Sequence, residues 1–209
     1  MLICMLFPVS IMIHGQKSYR LSFQINGLRD EKTWLIFYYG DQQIRKDTGL
    51  TDASGKIVFF MDQYDQAGMY RLEKDKKQGL DFIFNKEDVS ITSGPDFNLE
   101  SIVVNKSEEN NIFFDYYRHK QDMEARIDVL AGFLRYYPPV DSFYHVAADY
   151  AAQLSSTYGH YLDSLLDNFP EKLATRIIRL DQLPDIRPGE LPPETVAKYR
   201  SRYFSSIRH

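Results

Sequence analysis

Cysteine is almost missing from this chain: the 209 residues hold one, Cys4. A single thiol excludes an intramolecular disulfide framework, a cysteine-built zinc site and a dithiol redox centre within the chain, because each needs at least two. An excess of positive charge is missing as well. Twenty-five Lys and Arg stand against 29 Asp and Glu, a net charge of −4. No uniform basic field is available to neutralise a nucleic-acid backbone, and no nucleic-acid partner is expected. The chain also lacks a Gly-x-Ser-x-Gly elbow and a Gly-x-x-x-x-Gly-Lys-Ser/Thr loop, so hydrolase and kinase readings lose their usual support. What remains is an ordinary globular composition, 44% hydrophobic and 26% charged, with room for one large domain or two small ones.

Residues 1–13 carry no charge and are apolar but for Pro8 and Ser10, and a polar stretch begins at His14. As a helix this run spans roughly 20 Å, short of the ~30 Å hydrocarbon core. It reads as a signal-peptide core with cleavage near Gly15, so residues 1–15 are expected to be a leader or its remnant and the protein to be exported to the periplasm or cell envelope. Membrane association is expected only through an unprocessed leader. The missing basic segment before the apolar run suggests a true start upstream of Met1. Cys4 lies inside the apolar core and not after it, which leaves a lipoprotein anchor without support.

From Tyr19 the pattern has period two. Tyr19, Leu21, Phe23 and Ile25 alternate with Arg20, Ser22, Gln24 and Asn26, the signature of a strand with one wet face. Gly27 closes it. Further strands are expected over Trp34–Tyr39, Gln43–Leu50, Lys56–Met61, Met69–Glu73, Leu80–Phe84, Val89–Thr92 and Leu99–Val104, separated by Gly, Asp and Asn turn signals. About eight short strands with no helix between them predict an antiparallel sandwich or barrel over residues 17–105. At Ser107 the period lengthens: Ile112, Tyr116, Met123, Ile127, Leu130 and Leu134 form one helical stripe behind a Ser107 cap. Asp141 caps a second helix, a third runs through Leu173, Ile177 and Leu180, and a fourth is expected from about Glu194, carrying Val196, Tyr199, Tyr203, Phe204 and Ile207. The fold class is therefore α+β, with about four helices in a helical domain over 106–209. That last amphipathic pattern is cut at His209, so the natural protein is expected to continue.

No catalytic, cofactor-binding or metal-ligating residue can be assigned, and no cofactor is expected. His119, His145, His160 and His209 offer no i, i+4 pair for a metal. Asp47, Asp52, Asp62 and Asp65 sit in loops without calcium-loop spacing, where Asp is the default turn residue. Tyr116, Tyr117, Tyr136, Tyr137, Tyr144, Tyr150, Tyr158 and Tyr161 read first as packing and second as a groove for a glycan or an extended peptide. The basic stretch Tyr199-Arg200-Ser201-Arg202-Tyr203 reads as a solvated face or an interdomain contact.

The order of several segments carries a resemblance. Ile25-Asn26-Gly27-Leu28, Tyr38-Tyr39-Gly40-Asp41, Asp47-Thr48, Thr51-Asp52-Ala53-Ser54-Gly55-Lys56, Gly68-Met69-Tyr70 and Val104-Asn105-Lys106-Ser107-Glu108-Glu109-Asn110 resemble the N-terminal β-domain of unknown function found in Bacteroidetes envelope proteins. Asn168-Phe169-Pro170-Glu171-Lys172-Leu173-Ala174 and the Pro-rich run to Phe204 are similar to the start of the helical domain of unknown function that follows it. In such proteins a thioredoxin-like thiol-disulfide interchange domain often comes next. Lys106 departs from the glycine usual there, and the Cys-x-x-Cys that would carry the exchange is absent from this chain, so no catalytic residue transfers. The resemblance implies a non-catalytic accessory region that acts in binding, spacing or assembly, with a C-terminal thioredoxin-like domain or an envelope protein as partner. The competing expectation is a stand-alone envelope module that binds a glycan or peptide.

Overall fold

A computed structural model describes residues 17–182. Eight strands come first: β1 (Ser18–Ile25), β2 (Lys32–Tyr39), β3 (Gln42–Leu50), β4 (Lys56–Asp62), β5 (Gly68–Glu73), β6 (Gly79–Phe84), β7 (Val89–Ser93) and β8 (Val103–Lys106). Three helices follow: α1 (Glu108–Tyr136), α2 (Ser142–Asn168) and α3 (Leu173–Asp181). The strands form two four-stranded sheets, ordered β4-β1-β7-β8 and β3-β2-β5-β6. The architecture is thus α+β.

The alternation in β1 does the sorting. Tyr19, Leu21, Phe23 and Ile25 are buried while Arg20, Ser22 and Gln24 face outward, and the buried set meets the other sheet. Phe23 packs edge-on against Phe82 of β6 at 5.0 Å between ring centres, Tyr19 against Phe84 at 5.6 Å, and Tyr70 against Phe37 at 4.9 Å. These contacts close one aromatic core between the sheets. Glycine is required where the β1 end meets the β3–β4 turn. Gly55 has φ +86°, and a Cβ there would lie 2.1 Å from the Ile25 carbonyl oxygen, which itself abuts the Ile25 N–H bond to Gly55 O at 2.8 Å.

Two expectations are corrected. The sheet pairing is not wholly antiparallel: β1 runs parallel to β7, with Leu21 opposite Val89 and Ile25 opposite Ser93. The chain reaches β7 only after passing through the other sheet, so no hairpin imposes an antiparallel pairing. The strand expected over Leu99–Val104 is a 3-10 turn at Leu99–Ser101 followed by β8. Asn98 holds that turn by accepting the Glu100 N–H, and its own carbonyl takes the Ser101 hydroxyl at 2.7 Å, local bonds that compete with a ladder. The three helices expected before residue 183 are all present in the described residues. The helix expected from about Glu194, the basic Tyr199–Tyr203 stretch, His209, Cys4 and the leader over 1–15 all lie outside them. No described helix is long and apolar enough to cross a membrane.

Candidate functional site

Three layers of side chains build the helical half from its root outward. At the root, helix α1 is joined to the sheets by a polar junction in which every buried group named is paired. Glu87, in the β6–β7 turn, accepts the Ser107 hydroxyl at 2.6 Å and the N–H groups of Glu109 at 3.1 Å and Glu108 at 3.3 Å. Ser107, held at φ +148°, accepts the Asn110 N–H at 3.0 Å, so two residues share the capping of α1. Asn110, fully buried, pairs its side-chain amide with the open edge of β6. It accepts the Ile83 N–H at 2.8 Å and donates to the Ile83 carbonyl at 2.7 Å, as a neighbouring strand would.

Glu109 completes the root. Its carboxylate, 2% exposed, accepts the Asn85 amide at 2.7 Å, the Leu173 N–H at 3.2 Å and the Ala174 N–H at 2.7 Å. Helix α3 has no side-chain cap of its own from Lys172, so Glu109 supplies the negative charge that its N-terminus favours. Lys172 in turn pairs with Glu108.

The middle layer gathers four of the eight helical tyrosines. Tyr116 donates to the Asp181 carboxylate at 2.5 Å and accepts from the Gln182 amide at 2.7 Å, while Lys120 pairs with Asp181 at 2.7 Å. Burial first, then the Asp181 hydrogen bond, pushes the Tyr116 phenol far above its ordinary value. Burial pulls the Lys120 ammonium down, but the Asp181 bond and charge outweigh it and leave it raised. Tyr158 and Tyr161 stack on one another, and His119 stacks on Tyr161 at 4.2 Å. Tyr117 packs against Phe113 and Tyr116. With its phenols held neutral, this cluster packs α1 against α2 and α3.

The outer layer differs in kind. No residue of α1 beyond Tyr116 is buried, and beyond Lys120, which still pairs with Asp181 of α3, the ring contacts of α1 are made with α2 and the turn before it. Helical spacing places Val129 and Phe133 of α1 on the same flank as Phe143, Val146 and Tyr150 of α2. Phe133 stacks on Tyr137 at 4.4 Å and meets Phe143 edge-on at 5.4 Å. Val129 is 73% exposed, Val146 62%, Phe143 55% and Tyr150 47%. Apolar side chains grouped in this way on an exposed surface make this flank the candidate site for an interaction.

The other candidates from the sequence bond nearby backbone: Asp47 lies within β3 and not in a loop, Asp62 is the last residue of β4, and Asp52 and Asp65 build turns. Asp52 accepts the N–H groups of Ser54 and Lys56, Asp47 accepts the Thr48 N–H, and Asp62 accepts those of Tyr64 and Asp65. Asp65 accepts the Asp62 N–H and pairs with Lys46. The Lys86 ammonium occupies the Gln63 and Asp65 carbonyls of the loop that could have held calcium. His145 lies edge-on to Tyr144, and His160 is exposed. Tyr136, Tyr144 and Tyr150 stand apart from the buried cluster, and Tyr136 is 83% exposed. No group of three or more His, Cys, Asp and Glu among the described residues has the arrangement to hold a metal. No family model, no curated protein and no solved structure matches this chain.

Sequence reasoning overlooked Glu87, Asn110 and the true role of Glu109. Glu109 was legible only as a first-turn acid suited to its own helix, whereas its partners lie 64 and 65 positions away.

Proposed function

We propose that this chain is the non-catalytic accessory region of an exported thioredoxin-like thiol-disulfide interchange protein, in which the β-sandwich is a base and the α1–α2 hairpin an arm. The observation that carries this reading is the division of labour along the helices. The carboxylates and amides at the root and the Tyr116 phenol in the middle are consumed in structural bonds. The other phenols there pack as rings, while the outer part displays Val129, Phe143, Val146 and Tyr150. A rigid root holds the arm at one angle, and the apolar flank at its end docks a protein surface, that of the redox domain in the parent protein. The order of the motifs from Ile25 to Phe204 supplies the family context.

The test is the native protein. Its intact mass from the envelope fraction, with peptide mapping across residue 209, is expected to exceed 24.5 kDa and to include a Cys-x-x-Cys peptide. A native mass matching this chain alone, with no thioredoxin-like protein co-purifying, overturns the reading. The second reading, a stand-alone envelope module for a glycan or peptide, is favoured by the open aromatic flank around Phe143 and Tyr150. It predicts saturable ligand shifts confined to that flank.

A further inference from the structure

The outer face of the β4-β1-β7-β8 sheet carries a second feature, independent of the arm. An open cavity of about 320 Å³ is lined by Arg20, Ser22, Lys56, Asp88, Val89, Ser90 and Lys106. The strand registers explain the grouping. Ser22 lies opposite Ser90, and Ser90 opposite Lys106, so two hydroxyls and one ammonium share a row across three strands. Arg20 stands two residues before Ser22 on β1, and Lys56 lies opposite Gln24 on β4. Three cations therefore surround a pair of serines, in a chain whose overall charge is −4.

One carboxylate faces them, and it is already committed. Asp88 accepts the Arg20 backbone N–H at 2.9 Å through one oxygen and the Lys106 ammonium at 2.7 Å through the other. The guanidinium of Arg20 and the ammonium of Lys56 make no ion-pair contact with a carboxylate among the described residues, though Asp88 and Asp52 lie near enough to interact with them electrostatically. The residues lining the cavity carry a formal charge of +2. Lysines on edge strands commonly guard against sheet-to-sheet pairing, which accounts for Lys56 on β4 and Lys106 on β8. Arg20 has no such explanation, because β1 is an interior strand.

We propose that this cavity is a binding site for a phosphate monoester. Such a group carries a charge of about −1.5 to −2 at neutral pH and three acceptor oxygens, matching the net charge of the cavity and its donors. Arg20 offers a planar fork to two oxygens, Lys56 a point charge, and Ser22 and Ser90 neutral donors. The polar lining and the open mouth suit a small hydrophilic ester, or a lipid headgroup presented at a surface, better than an apolar ligand. The proposal does not depend on the accessory-region reading, since the assay needs this chain alone.

The test is an amide NMR titration of the isotope-labelled chain with glucose 6-phosphate, with glucose as the neutral control, beside sedimentation with phosphatidylcholine vesicles with and without phosphatidic acid. Shifts centred on Ser22, Ser90 and Lys106 are expected with the ester and not with glucose. Arg20→Gln and Lys56→Gln should each weaken binding by at least about tenfold, as the loss of a charged hydrogen bond does. Lys77→Gln, which removes the same charge from an exposed turn next to the other sheet, should leave it unchanged. All three positions are exposed, and an unchanged melting temperature verifies the fold. Soluble ester binding assigns a free metabolite, and vesicle binding without it assigns a headgroup. The absence of either, or equal weakening by Lys77→Gln, overturns the proposal.

Discussion

The Glu109 carboxylate accepts the backbone N–H of Ala174 at 2.7 Å across 65 positions of sequence. That one bond ties the first turn of α1 to the first turn of α3 and fixes the root of the helical half. Glu109→Ala removes the acceptor from the Leu173 and Ala174 N–H groups and the Asn85 amide at once. A loss of about 2–4 kcal/mol is expected from stranding buried donors. Thermal denaturation should show a large fall in melting temperature. Hydrogen exchange should show the Leu173 and Ala174 amides deprotected while the β1 amides remain protected.

Asn110 makes a different demand, since it must donate and accept at the same backbone unit, Ile83. In its ionised form Asn110→Asp accepts but cannot donate, and it either places a buried charge beside a carbonyl or must take up a proton on folding. It should destabilise more than Asn110→Ala, whose cost is about 1–3 kcal/mol per stranded group. Urea midpoints of the two variants check the order, and an Asp variant as stable as the Ala variant would sink the strand-mimic account.

Alkaline pH should act on the middle layer. The Tyr116 phenol and the Lys120 ammonium both have raised values in the folded chain. A group raised on folding contributes stability that is complete below its unfolded value and is lost as pH rises through the folded one. Stability is therefore expected to be level up to about pH 9.5 and to fall above pH 10, where the unfolded phenol ionises. Tyr116→Phe should flatten that fall and cost about 1 kcal/mol at neutral pH through the lost hydroxyl bonds. Denaturant melts at intervals from pH 7 to 11 read both effects.

Two glycines should respond with opposite signs. Gly55→Ala forces a Cβ into the Ile25 carbonyl at positive φ and is expected to destabilise by several kcal/mol, at least about 2. Gly132 lies within α1 with open space around it, so Gly132→Ala should stabilise by about 0.5–1 kcal/mol. A paired thermal melt of the two variants decides the matter.

Much of this fold was legible in the sequence because period carries the information. The alternation from Tyr19 to Ile25 reports which side of β1 faces the core, since neighbouring side chains in a strand point to opposite faces. Ser107 and Asp141 announce the starts of α1 and α2, because capping is a contact between residues two or three apart: Ser107 accepts from Asn110 and Asp141 from Phe143. The exposed flank was less legible. Tyr150 reads first as packing, and only the partner lying against each helix separates a packed stripe from an open one.

What the sequence by itself determined was the succession of short strands and long helices and the wet and dry faces of β1, all properties of residues close along the chain. Tertiary structure alone decided the parallel pairing of β1 with β7, the burial of Glu109 beneath α3, and the meeting of Arg20, Lys56 and Lys106 over Ser22 and Ser90. Each depends on which distant segments become neighbours. That choice follows from how two sheets and three helices share one core, and no local periodicity encodes it.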